Sequence, residues 1–290
     1  MSEVRQRWRL IFARGEEARY LSHLDAVRLW ERAFRRGEIP VATTEGFSPR
    51  PRLIFAAPLQ LGMLAEHELA DLFLSERLTA PNLRLRLAAG MPRGYAVVDL
   101  HDVWIGDPAL APQLAAADCR MTILNVEQDR LEAAADRLLA AERLPRERRK
   151  EARAIPYDLR PLLLELRVRS ADPEALPPEA DPARAAGLWM RLRHSQDRGS
   201  GRVEEVVAAL AGELGLRAGF GGGEEEPAGA ADSIDEPAAL AGATDVAATA
   251  PESTWPASAL LEVVRPVRER LWLATELESS GAPQPAAQAG

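Results

Sequence analysis

Arginines at a spacing suited to phosphate recognition crowd the first part of the chain. Arg28, Arg32 and Arg35 recur at i, i+4 and i+7, with Arg36 beside them, so one flank of a helix would carry a row of guanidinium groups. A loop follows at Gly46-Phe47-Ser48-Pro49-Arg50-Pro51-Arg52. Each residue before a proline is driven toward extended backbone, which sets Ser48, Arg50 and Arg52 on one side and Phe47, Pro49 and Pro51 on the other. Neither proline can donate to a ladder, so this edge is expected to serve something other than sheet pairing. Gly46 permits a tight turn or close approach to a ligand. The planar, five-donor guanidinium matches phosphate better than any other side chain. A phosphate-binding comb is therefore expected, with Arg160 added from a related motif described below. The competing interpretation is an ordinary solvated face, to which Glu31 would contribute an i, i+4 pair with Arg35. No segment resembles a recognition helix with base-reading side chains, so RNA is the better expected partner than duplex DNA.

Catalytic chemistry has few candidates. His23 stands in a first helical turn near Asp25 and Tyr20, and a His–Tyr pair could move protons. The alternative is a structural histidine, since neither a nucleophile nor a metal set accompanies it. His67, His101 and His194 are scattered without ligand spacing, so no metal site is expected. The single cysteine, Cys119, rules out a disulfide framework within the chain and a self-contained iron–sulfur cluster. It opens a strand and is expected to be a small core residue. The basic run PRERRKEAR (145–153) is expected to be a mobile loop, with nucleic-acid contact as the alternative.

The elements that must position these residues follow from periodicity. Residues 5–14 alternate as a strand with Trp8, Leu10 and Phe12 on one face. Ser22 and Asp25 have capping-box spacing, Leu24, Val27, Trp30 and Phe34 form an apolar stripe, and Gly37 ends the helix. RLIFAAPL, HELADLFLSERL, APNLRLRLAAGM and YAVVDLHDV continue as strand, strand, helix and strand. The order is β-α-β-β-α-β. From Cys119 the same order recurs, ending in LLEVVRPVRERLWLA, where Pro266 would confine the strand to an edge or split it in two. The pattern aromatic-x-x-Arg-Pro-x-Leu occurs at Phe47–Leu53 and again at Tyr157–Leu163, each time before the second strand of its half.

The expected fold class is therefore α+β, with tandem ferredoxin-like (βαββαβ) domains, antiparallel sheets and a disordered acidic linker near the C-terminus. The boundaries are 1–110 and 115–220 for the two domains, 221–257 for the linker, 258–275 for a last strand or helix of the second domain, and 276–290 for a disordered tail. The linker holds eight acids and no base, whereas residues 1–220 hold 33 bases against 32 acids. The net charge of −8 thus resides in the linker and does not argue against a nucleic-acid partner. Without a signal-peptide pattern or a long apolar run, a cytoplasmic protein with no membrane contact is expected.

The stretch ARYLSHLDAVRLWERAFRRGEIPVATTEGFSPRPRLIFAAPLQLG (18–62), with PYDLRPLLLELRV and RVEEVVAAL later, resembles the radical SAM-linked proteins. These form a bacterial family of unknown function, encoded beside or fused to a radical S-adenosylmethionine protein. The resemblance spans roughly residues 5 to 215. It implies a separate radical SAM partner, which would hold the S-adenosylmethionine and iron–sulfur cluster, because this chain has no CxxxCxxC motif. The tandem layout also resembles CRISPR repeat-processing ribonucleases at the level of fold. An accessory RNA-binding protein in RNA maturation or modification, acting on tRNA or rRNA, is the expected function. A metal-independent endoribonuclease using His23 and Tyr20, or a pure docking module for the radical SAM enzyme, are the alternatives.

Overall fold

A computed structural model describes residues 3–45, 49–150, 153–195, 197–220 and 260–280. Gly46, Phe47, Ser48, the linker 221–257 and residues 281–290 lie outside the described residues. The chain is a mixed α+β protein with a large, mostly antiparallel sheet and five α-helices.

The first half contains β1 (Gln6–Arg14), α1 (His23–Arg36), β2 (Leu53–Phe55), β3 (Leu64–Leu74), α2 (Ala80–Gly90) and β4 (Tyr95–Val103). Its strands lie in the order β4-β1-β3-β2, each antiparallel to its neighbour. As the alternation predicts, Trp8, Leu10 and Phe12 are buried together, packed with Trp30 and Phe34 of α1 and Leu83 and Leu87 of α2. β2 is three residues long, and backbone hydrogen bonds to β3 continue on either side of it, from the Phe73 N–H to the Arg52 carbonyl and from the Ala56 N–H to the Leu69 carbonyl.

The second half contains β5 (Leu114–Leu124), α3 (Gln128–Ala140), β6 (Pro145–Lys150), β7 (Arg153–Asp158), β8 (Leu163–Ser170), β9 (Ala185–Ser195), β10 (Gly199–Ser200), α4 (Val203–Leu214), β11 (Arg217–Phe220), β12 (Leu260–Leu273) and α5 (Ala274–Ser279). Here the order is β12-β5-β9-β8, again antiparallel throughout. Short parallel pairing of β12 with β3, at Val267↔Leu64 and Arg268↔Ala65, joins both sets into one ten-stranded sheet.

Three expectations are corrected. The last strand is neither an edge nor two pieces: β12 runs unbroken for 14 residues between β5 and its other neighbours. Pro266 is tolerated because it falls in the register break between Val264 and Val267, beside Arg265 at φ 49°, where no ladder donor is required. That break is also where the neighbour on the far side changes from β11 to β3. Secondly, the described residues of the run 145–153 are not a loop: Pro145–Lys150 pairs with Arg153–Asp158 as an antiparallel hairpin, β6–β7, separate from the main sheet. Thirdly, residues 276–279, expected in a disordered tail, belong to α5, which buries Leu277.

One close approach fixes the first helical layer. A Cβ on Gly90 would stand 2.2 Å from the Ala33 carbonyl oxygen, and one on Gly37 would stand 2.4 Å from that of Arg86. Only glycine lets the ends of α1 and α2 meet this closely.

Candidate nucleic-acid interface

Ser22 caps α1, its Oγ accepting from the Asp25 N–H at 3.2 Å and donating to Asp25 Oδ2 at 2.7 Å. The buried face is Ala26, Trp30, Ala33 and Phe34. Leu24, expected in the stripe, is instead 61% exposed. It stands four residues before Arg28, on the exposed arginine flank, whereas the buried stripe starts at Ala26 and runs through Trp30, Ala33 and Phe34.

The opposite flank exposes Arg28, Arg32 and Arg35. Arg28 approaches Asp25 at 3.5 Å. Arg32 and Arg35 have no hydrogen-bond or ion-pair partner among the described residues, and the expected Glu31–Arg35 pair is not formed. Arg36 is occupied structurally: its Nη2 donates to the Gly90 carbonyl at 2.9 Å, closing the helix contact that the two glycines permit.

The proline loop does engage in pairing, contrary to expectation. Thr43 bridges Pro51, Thr44 N–H donates to the Arg50 carbonyl at 2.8 Å, and Arg52 N–H donates to Ala42 at 2.7 Å. Arg50 and Arg52 supply the donors that Pro49 and Pro51 lack, so residues 41–44 and 49–52 make a small hairpin arm. The Arg50 side chain is exposed on it, with no partner among the described residues. Arg52 turns back, its guanidinium 4.0 Å from the centre of the Phe73 ring. Arg160 is removed from the comb altogether, since it donates to the carbonyls of Leu163 at 2.9 Å and Leu139 at 3.0 Å. The free members are therefore Arg32, Arg35 and Arg50, with Arg28 loosely held.

Charge separates the helical layers. Helices α1 and α2 carry six arginines against two acids, while α3 and α4 carry two against six. The first pair of helices therefore carries a net charge of +4 and the second −4, a separation that the near-neutral total of the body hides.

His23 and Tyr20 are not brought together as an acid–base pair: no hydrogen bond joins them among the described residues. Tyr20 is 53% exposed and lies under the Arg19 guanidinium at 4.9 Å. The His23 ring stands edge-on to Phe55 at 5.6 Å, at the lip of a cavity of about 20 Å³, room for roughly one water. Burial on that side pushes its pKa down, leaving a neutral imidazole at pH 7.

That cavity exposes what sequence reading missed. Its polar wall is Arg14, Glu68 and Tyr95. The Arg14 Nε and Nη2 donate to the Met63 carbonyl at 3.1 and 2.5 Å, and Nη2 also reaches Gln60 at 2.5 Å. Burial raises the Tyr95 pKa, opposed by the charge and hydrogen bond of Arg14. Glu68 receives a two-pronged contact from Arg268, one arm at 2.5 Å, and both side chains are buried. A signal existed: Arg14 continues the Trp8/Leu10/Phe12 alternation and Glu68 shares that of Ala70 and Leu72, placing charge on an apolar face.

The second-half sheet carries another unforeseen set. Arg191 lies between Trp189 and Trp272, 5.5 and 5.1 Å from the ring centres, and forks onto Asp118 at 2.7 and 2.8 Å. The indole N–H groups donate to Glu269 and Asp118, each at 2.8 Å. Here the charges neutralise one another, unlike those on the flank of α1. Burial drives the Cys119 thiol up to about 12, the core role expected of it. Among the described residues no cluster of metal-ligating side chains occurs, and no helix is long and apolar enough to cross a membrane.

The chain is thus a mixed α+β protein that exposes, on the flank of α1, arginines without partners among the described residues. The chain belongs to a bacterial family of uncharacterized conserved proteins, DUF2344, whose profile matches residues 7–197. A comparison with curated proteins finds no match.

Proposed function

We propose that this chain is a non-catalytic accessory protein made of two ferredoxin-like units, which binds structured RNA such as tRNA or rRNA on its α1 flank. The observation that carries this reading is the set Arg32, Arg35 and Arg50: exposed guanidinium groups on one helix and one adjoining arm, without carboxylate partners among the described residues. Arg77, Arg93, Arg130 and Arg217 are also exposed without a partner among the described residues, so what marks this set is its grouping on α1 and the arm that follows it, where neighbouring cations suit an external anion. The two strand orders, β4-β1-β3-β2 and β12-β5-β9-β8, support the ferredoxin-like description of each unit. In this proposal the chain presents RNA to a separate cytoplasmic radical SAM enzyme, a partner suggested by the motif resemblance. S-adenosylmethionine and the cluster belong to that enzyme, since the single buried cysteine here suits neither.

The test is fluorescence anisotropy of a labelled tRNA against the purified protein over a salt series, beside Arg32→Glu/Arg35→Glu/Arg50→Glu. Affinity that falls steeply with salt and is lost in the variant supports the proposal. Equal affinity of variant and wild type overturns it.

A further inference from the structure

A groove of about 410 Å³ runs between α3 and β8 in the second half. The two elements lie side by side in opposite directions and are pinned at both ends. At one end Ser170 Oγ donates to Gln128 Oε1 at 3.4 Å; at the other Arg160 joins the Leu139 and Leu163 carbonyls at 3.0 and 2.9 Å. The floor is apolar, formed by Ala135, Leu166 and Val168 against the second-half core. On the α3 wall stand Glu132 and Asp136, both exposed and without a hydrogen-bond or ion-pair partner among the described residues. Arg167 and Arg169 also border the groove, but their guanidinium groups turn to the opposite face of the sheet. There the Trp189 ring lies at 5.1 and 6.0 Å from them, and Arg167 meets Glu165 at 2.5 Å. The groove is therefore apolar below and negative along one side.

Its other side is an open sheet edge. β8 pairs with β9 alone among the described residues, and the register is regular over the six residues Glu165–Ser170. Alternate N–H and C=O groups of this stretch face outward over about 20 Å. A strand laid on that edge completes their hydrogen bonds and places every second side chain under α3. Those side chains recur about every 6.6 Å, while two residues four apart on a helix, as Glu132 and Asp136 are, stand about 6 Å apart along its axis. Lysine or arginine at alternate positions thus reaches both carboxylates, with its methylenes covering Leu166 and Val168. No lysine or arginine occurs in the segments outside the described residues, so this chain has no such segment to spare. A polynucleotide is also a poor match, because the net −4 of α3 and α4 repels phosphate.

We propose that the α3–β8 groove docks a basic, extended segment of a partner protein, which adds as a strand to β8 and sets alternate lysines or arginines against Glu132 and Asp136. The site is independent of the α1 reading.

The experiment measures fluorescence anisotropy of fluorescein-labelled Lys-Thr-Lys-Thr-Lys-Thr-Lys against the full chain at low salt. Glu132→Gln/Asp136→Asn stands beside the wild type, folding being checked by circular dichroism. One control peptide has the same composition in blocks, Lys-Lys-Lys-Lys-Thr-Thr-Thr; the other is the alternating peptide N-methylated at every backbone amide, which cannot donate to a ladder. The alternating peptide is expected to bind more tightly than either control, and the variant to bind it about 5-fold or more weakly, as loss of two exposed ion pairs implies. Equal affinity for the alternating and block peptides reduces the groove to general charge attraction and overturns the proposal. Unchanged binding in the variant, or no binding by the wild type, overturns it as well. Sedimentation that shows the wild type pairing with itself, and the variant monomeric, assigns the groove to a second copy of this chain and likewise refutes it.

Discussion

Replacing Glu68 with glutamine should unfasten the last strand from the first half of the molecule. Glu68 lies on β3 and Arg268 on β12, 200 residues apart in sequence, and their side chains are only 2% and 8% exposed. In Glu68→Gln the Arg268 guanidinium would keep only neutral acceptors, the new amide oxygen and the Pro58 carbonyl at 3.2 Å. It would also remain within electrostatic reach of the buried Arg14 charge, with no carboxylate to offset either. Leaving one member of a buried pair uncompensated costs about 3–5 kcal/mol. With a urea m-value of roughly 2–3 kcal/mol/M, the midpoint should fall by about 1–2 M. The double variant Glu68→Gln/Arg268→Met removes the stranded charge and should recover most of the loss, because buried pairs rarely outperform apolar replacements. Urea denaturation of the wild type, both single variants and the double variant closes the cycle. A loss below about 1 kcal/mol in Glu68→Gln, or a double variant no better than the single, would refute the reasoning.

Two further outcomes follow from the packing. Burial, with the nearby Arg268 charge, holds the His194 pKa down at about 4, well below the usual 6.5 of a free imidazole. Its folded-state value lies below its unfolded one, so the stability it contributes is complete above pH 6.5 and disappears as pH falls toward 4. His194→Gln should flatten thermal stability across that window, and an unchanged pH profile would contradict the assignment. Gly90→Ala forces a methyl group onto the Ala33 carbonyl, so melting should drop by an amount corresponding to roughly 1–3 kcal/mol, measured by calorimetry. An unaltered melting temperature would show that the helix ends are not tightly apposed.

Periodicity made much of the architecture legible. The alternation of Trp8, Leu10 and Phe12, the Ser22 cap and the order of strands and helices can be read from local pattern, since each depends on neighbours within a turn or a strand. What escaped depends on distant partners. Pro266 argued against a central β12 until a bulge supplied a place that needs no donor there. The run 145–153 looks like a solvated loop because its stabilising contacts, Arg148 to Glu205 and Ser200, lie more than 50 residues away. The comb was legible as a set of arginines but not as free or occupied ones. Arg36, Arg52 and Arg160 differ from Arg32, Arg35 and Arg50 only in the carbonyl or ring that folding brings within reach.

The central claim is that RNA lies against the α1 flank and its adjoining arm. Ultraviolet crosslinking of bound tRNA to the full chain, followed by peptide mapping, addresses this directly. The account predicts adducts on peptides spanning residues 28–36 and 49–52. Crosslinks confined to other surfaces, or no stable complex at low salt, would contradict it.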